Sequence, residues 1–243
     1  MGACGISIRC WKRMSGKSVQ PRPMQIAALT DGHILPMTPI SSVHLEIIAD
    51  CVAQAWNRLV STYSGQLPAD EVELNSLMRS QLNNLNNPLW KTLVSSVTLD
   101  TSLCSYDGSH LQKSPDLSIH LTRRHPNFHL EVECKLIDHP RRKSVALYAE
   151  EGLMRFLKGE YAWGTREAFM LAYVFDGSTI HDCLTPFLTG HQQSGSDPYN
   201  TDQISSFIGA RRNLVCSNHA RNFTYTQQSP SSPGPIAIWH LWL

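Results

Sequence analysis

The chain of 243 residues has no Cys-x-x-Cys pair and no apolar run near the roughly 18 residues of a membrane span. Its seven cysteines, at 4, 10, 51, 104, 134, 183 and 216, are odd in number and scattered. That pattern excludes a zinc ribbon or a fully paired disulfide framework and leads us to expect reduced thiols in a cytoplasmic protein with no membrane partner. Excess charge of one sign is also missing. Lys and Arg number 21 against 20 Asp and Glu, and charged residues make up 17% beside 42% hydrophobic ones, as in an ordinary soluble globular chain. Acids are absent from residues 1–30, which hold five bases (Arg9, Lys12, Arg13, Lys17 and Arg22) without clear periodicity. A basic, irregular leader is therefore expected over 1–40. Gly16-Lys17-Ser18 ends like a phosphate-binding loop, but Trp11 stands where its first glycine belongs. Met1-Gly2 lacks the Ser or Thr that a myristoylation signal needs, since Ile6 is there. No secretory signal core and no heptad pattern are present.

Beyond the leader, 41–243 is long enough for a single α/β domain with a substantial core. Ser41 or Ser42 can cap a helix over about 42–63 that ends at Gly65. Its Ile48, Cys51, Val52, Ala55, Trp56, Leu59, Val60 and Tyr63 recur at helical spacing. A second helix starts at Asp70, with Glu73 three residues on in capping-box fashion, and dissolves into the asparagine-rich 83–88. A strand over 93–99 and an Asp107-Gly108 turn follow. A helix over 142–158 presents Val145, Tyr148, Gly152, Leu153, Phe156 and Leu157 inward. The continuous apolar run 168–175 predicts a strand buried on both faces, parallel to its neighbour after a helical crossover. A helix over 178–188 broken at Pro186, a mobile polar loop over 190–200 and a strand over 213–216 come next. Beyond the turn-rich 229–235, a terminal strand over 236–243 packs Trp239, Trp242 and Leu243 rather than stacking bases.

The stretch 114–137 carries the most chemistry. Two alternating runs flank the turn-forming Arg124-His125-Pro126-Asn127, as in a half-buried antiparallel hairpin. Leu117, Ile119 and Leu121 point one way and Asp116, Ser118 and His120 the other. In the second run Phe128, Leu130, Val132, Cys134 and Leu136 share the apolar face, leaving His129, Glu131, Glu133 and Lys135 on the polar one. A turn centred between Arg124 and His125 puts Asp116 opposite Glu133. Opposed residues keep their Cβ atoms roughly 4.5 to 5.5 Å apart, so two carboxylates there repel unless they share a hard cation.

Pro115-Asp116 followed by Glu133-Cys134-Lys135 on the next strand resembles the signature of the PD-(D/E)XK, or restriction-endonuclease-like, nucleases. The resemblance covers roughly 68–176, a core distinct from a C-terminal extension over 177–243, and is specific at the motif and at the order of elements. It implies an αβββαβ core, a mixed central sheet flanked by helices. It also implies that Asp116 and Glu133 hold one or two magnesium ions while Lys135 orients or deprotonates the attacking water. Many members place a further glutamate from a helix ahead of the sheet at the metal. Glu71 suits that role better than Glu73, which has a capping job; a helix-start acid favoured by the dipole is the competing account. An oxygen-only ligand set suits magnesium or manganese.

Local basic stretches offer phosphate contacts. Between Lys113 and Lys143 seven bases face four acids, and between Ile204 and Tyr225 there are three arginines and no acid. Arg155 and Lys158 near a helix end, and His219 and Arg221 in an expected loop, are candidates for binding nucleic acid, with dipole compensation and simple solvation as their alternatives. The function expected is metal-dependent hydrolysis of phosphodiesters, that of a DNA endonuclease of restriction or anti-phage type. The alternative is a nucleic-acid-binding subunit that depends on a partner protein for activity. A cutter of both strands requires two centres and hence a homodimer.

Overall fold

The computed structural model describes residues 32–64, 66–101, 106, 114–207, 213–225 and 231–243. The phosphate-loop and myristoylation look-alikes and the Asp107-Gly108 turn fall outside these residues. Apolar side chains at helical spacing build α1 (Ser42–Thr62), which buries Leu45, Ile48, Val52, Ala55, Trp56 and Leu59, whereas Tyr63 stays exposed. Asp70 accepts the Glu73 N–H at 2.9 Å and starts α2 (Glu71–Asn83). Asn87 caps the short α3 (Pro88–Leu93), which the asparagine-rich sequence concealed. Strands β1 (Val94–Leu99), β2 (Leu117–Leu121) and β3 (Leu130–Ile137) follow. Next, α4 (Val145–Tyr148) passes through a π-helical turn, Ala149–Leu153, into α5 (Met154–Leu157), and the chain returns as β4 (Glu167–Val174). A second π turn, Ile180–Leu184, leads into α6 (Thr185–Gln193), and β5 (Thr201–Ser206), β6 (Leu214–His219) and β7 (Ile236–Trp242) complete the fold.

Among the described residues the strands make one seven-stranded mixed sheet in the order β1-β2-β3-β4-β7-β6-β5. Its centre, β3-β4-β7, is parallel and both wings are antiparallel. Side-chain alternation then decides the layers. Phe169, Leu171 and Tyr173 of β4 join α1 and α2 in one core, and Ala168, Met170 and Ala172 join α4, α5 and α6 in another. That two-sided burial is why β4 reads as an unbroken apolar run. Among the described residues no helix is long and apolar enough to cross a membrane. Cys51, Cys134, Cys183 and Cys216 are free thiols.

Several expectations need correction. The hairpin is not half-solvated: α4 and α5 cover its polar face, so Glu131 and Glu133 are buried. Its second strand starts at Leu130, because Pro126 bends 126–128 into a 3-10 turn. Arg142 adopts a left-handed conformation, so the helix after β3 begins only where Ser144 caps it. Pro186 does not end the helix, which follows directly on the π turn at Ile180–Leu184 and continues to Gln193. Residues 201–206 form β5, and 214–219 a full strand rather than a strand end and loop. The segment 177–243 is no appendage: β7 lies between β4 and β6 at the middle of the sheet. Residues 32–40 contain no helix or strand, but they are held against the domain: Leu35 packs against Trp163, Phe223 and Tyr225, and the Met37 N–H donates to the Gly164 carbonyl at 2.8 Å.

Candidate active site

Pairing between β2 and β3 follows Leu117↔Val132, Ser118↔Glu131 and Ile119↔Leu130, the register expected from the turn. It stops there, because β2 begins at Leu117 while β3 continues to Ile137 beside β4. Among the described residues the far half of β3 therefore has no strand partner on that edge, with backbone N–H groups of alternate residues directed outward. Carboxylates occupy that edge. Asp116, just ahead of β2, accepts the Cys134 N–H at 2.7 Å through Oδ2. Glu71, in the first turn of α2, accepts the Leu136 N–H at 3.1 Å through Oε2. Glu73 is exposed, and only its backbone N–H serves the helix start, donating to Asp70 Oδ1 at 2.9 Å.

Lys135 gathers these acids. Its Nζ lies 2.8 Å from Glu133 Oε1, 3.3 Å from Glu71 Oε1 and 3.9 Å from Asp116 Oδ2. Arg155 Nη1 reaches the same Glu133 oxygen at 3.0 Å and donates to the Tyr161 hydroxyl at 2.8 Å. Tyr161 in turn donates to the Ser114 carbonyl at 2.7 Å, tying α5 to the loop that carries Asp116. Tyr161 has no sequence signal, since an aromatic in a glycine-flanked turn reads as packing. Helix and strand approach closely here because residue 152 is glycine. A Cβ on Gly152 comes within 2.5 Å of the Met170 methyl and 3.5 Å of Glu133 Cγ.

Charge and burial oppose each other in the cluster. Burial, and then the Asp116 charge, push the Glu133 carboxyl up to about 7. Burial also raises Asp116, against the pull of Lys135 and of the Cys134 N–H. For Lys135 burial disfavours the charged form, but Glu133, Glu71 and Asp116 together outweigh it and hold the ammonium above its ordinary value. Glu131 lies on the same face without joining the cluster. It accepts the Ala162 N–H at 2.6 Å, and burial lifts it to about 8.

The structure thus brings Asp116, Glu133, Lys135, Glu71 and Arg155 together, and leaves three other candidates out. Lys158 is exposed at the end of α5. His219 is wholly buried in β6, between Ser217 Oγ at 2.6 Å and the Tyr199 carbonyl at 2.8 Å. Arg221 is buried too, and its guanidinium is spent on the carbonyls of Ala162, Pro233 and Gly234. Neither offers a surface to a phosphate, because the strand and the closing loop that the sequence hid enclose both. No family model, curated protein or solved structure matches this chain.

Proposed function

We propose that the protein is a metal-dependent phosphodiesterase, a DNA endonuclease of restriction or anti-phage type. What carries the reading is the convergence of Asp116, Glu133 and Glu71 around Lys135 on the open edge of β3. The order α2, three strands, α4–α5 and β4 agrees with the αβββαβ core of the PD-(D/E)XK nucleases. Among the described residues no three acids, histidines or cysteines stand at metal-holding distances, because the Lys135 ammonium is the cation these carboxylates share. The donor chemistry nevertheless fits a hard ion. Every side-chain donor is a carboxylate oxygen, and Glu133 Oε2 is buried with no hydrogen-bond partner. Asp116, Glu133 and Glu71 are the residues that would hold magnesium or manganese. A bound ion supplies Lewis acidity at the phosphoryl oxygen and makes a water nucleophilic near neutral pH.

The side chains divide the remaining work. Lys135, in contact with Glu133 and Glu71, orients the water and meets negative charge developing on the phosphoryl group. Arg155, steadied by Tyr161, offers a second cation to an adjacent phosphate. Calorimetric titration with manganese tests the ligand set. Saturable binding by the wild type, lost in Asp116→Asn and Glu133→Gln, is the expected result; no saturable binding by folded wild type overturns it.

A further inference from the structure

Beyond the carboxylate cluster β3 ends at Ile137, and a tight loop begins at Asp138, roughly 10 Å along the strand from Lys135. Its next five residues, His139-Pro140-Arg141-Arg142-Lys143, are all exposed. The seven bases between Lys113 and Lys143 are thereby sorted. Lys113 lies outside the described residues, Lys135 belongs to the cluster, Arg124 is ion-paired to Glu167 at 2.8 Å, and Arg123 stands with it at the opposite end of the hairpin. Arg141, Arg142 and Lys143 remain, consecutive in the chain, at the end of β3 that carries Lys135.

Backbone hydrogen bonds fix this loop. Asp138 and Lys143 each donate an N–H to the other's carbonyl, at 2.9 and 3.0 Å, which pins its two ends together. The Arg141 N–H donates to the Asp138 carbonyl and the Arg142 N–H to the His139 carbonyl, each at 2.9 Å. Asp176, just after β4, accepts the His139 N–H at 2.7 Å and the Ser178 N–H at 2.9 Å. Asp138, the one acid in 138–143, is buried, and its carboxylate turns back to Arg141 Nε at 3.3 Å. Arg142 holds φ 60° and ψ 25°, a left-handed conformation that glycine takes without strain. A strained backbone that carries an exposed charge is better explained by a binding contact than by the turn.

We propose that the 138–143 loop is a phosphate clamp for duplex DNA, with Arg141, Arg142 and Lys143 meeting backbone phosphates and laying the strand across the carboxylate cluster. The clamp deepens the nuclease reading and rests on it for its direction, toward that cluster. A span of roughly 10 Å is about three steps of the duplex, at about 3.4 Å of rise each, so one strand reaches both loop and cluster. Three carboxylates repel a polyanion, and cations beside them offset that repulsion. Contacts to the backbone position DNA without reading its bases, so the clamp serves any sequence.

Fluorescence anisotropy of a short labelled duplex tests it, titrated with the full chain over a series of salt concentrations, in EDTA and again in calcium. Wild type should bind saturably, its log affinity falling steeply with log salt. The triple variant Arg141→Gln, Arg142→Gln, Lys143→Gln should lower that slope by about 2 to 3 and the low-salt affinity about tenfold or more, while binding manganese as wild type does. Arg142→Gly suits the left-handed backbone, so it should keep or raise the melting temperature and lower the slope by about 1. Lys91→Gln, on the helix that enters β1 at the opposite end of the sheet, should change neither slope nor affinity. No saturable binding by folded wild type in either buffer, or slope and affinity kept in the triple variant, overturns the clamp. So does a loss in Lys91→Gln equal to that in Arg142→Gly. Wild type that binds DNA through the loop but neither takes up manganese nor cuts plasmid leaves the clamp standing and overturns the nuclease reading instead.

Discussion

Residues of one type separate by what their neighbours ask of them. Glu71 and Glu73 are two positions apart in the same helical turn, yet Glu71 reaches Lys135 and the Leu136 N–H while Glu73 is exposed to solvent. On the proposed mechanism, Glu71→Gln lowers the plasmid cleavage rate by about tenfold or more, and Glu73→Gln leaves it nearly unchanged. Equal losses in the two variants contradict this. Histidines show the other fate. His240 and His219 lie in a buried chain, Tyr148 hydroxyl to His240 Nδ1 at 2.8 Å, His240 Nε2 to Ser217 at 2.7 Å, and Ser217 to His219. The Tyr199 carbonyl can only accept, so it fixes the His219 proton on Nδ1 and leaves Nε2 to receive the Ser217 hydroxyl. Burial lowers His219 to about 4 and His240 well below its ordinary value of 6.5. The unfolded chain takes up these protons below about 6.5 while the folded protein refuses them, so stability is full above that pH and falls as pH drops toward 4. Glu131 and Glu133, with carboxyls raised to about 8 and about 7, gain stability over the same range, so the histidine effect is read as a difference: between pH 7 and pH 5 the urea midpoint of wild type should shift toward lower urea relative to that of His219→Gln, and identical shifts contradict it. The Asp116, Glu133 and Lys135 motif was legible in the sequence. The burial of His219 and Arg221 was not, because a polar stretch reads as loop until its strand partners are known.

At the scale of elements, the site exists because β2 starts late. Period-two alternation and the turn residues were enough to set the register of β2 on β3, and Ser41, Asp70 and Gly159 marked the start of α1, the start of α2 and the end of α5, while the Asn87 cap of α3 went unread. What local pattern could not reveal was that β3 outruns β2, leaving N–H groups of Cys134 and Leu136 for carboxylates instead of carbonyls. The π turn at Ala149–Leu153 was equally hidden, since it answers to the packing of Gly152 on Met170 and Glu133 and not to propensity. Gly152→Ala must push either the Met170 side chain or the helix away. A loss of about 1 to 3 kcal/mol in urea unfolding is expected, along with slower cleavage because Arg155 moves with the helix. An unchanged midpoint means that Met170 absorbs the methyl.

For the whole molecule, the last third of the chain is as much a part of the sheet as the motif-bearing hairpin. Resemblance suggested a core ending near 176, but β7 fills the space between β4 and β6, and its Trp239 and Trp242 lie in the two opposite cores. Sequence order cannot show that a last strand is inserted centrally, because alternation in β7 looks the same at an edge. A chain truncated after Asp176 exposes one side of β4 and both apolar layers. It should therefore aggregate or lack the far-ultraviolet dichroism of a folded α/β protein, and a soluble, cooperatively folded fragment contradicts this. The intact sheet presents Asp116, Glu133, Glu71 and Lys135 at one open edge, and whether that edge cuts DNA is the central claim. Supercoiled plasmid incubated with wild type and with Lys135→Ala, each in magnesium and in EDTA, tests it most directly. Nicking by wild type in magnesium alone is expected, with a rate about 100-fold or more lower in Lys135→Ala. Cutting that persists in EDTA or in Lys135→Ala, or no cutting by folded wild type that binds the plasmid, contradicts it.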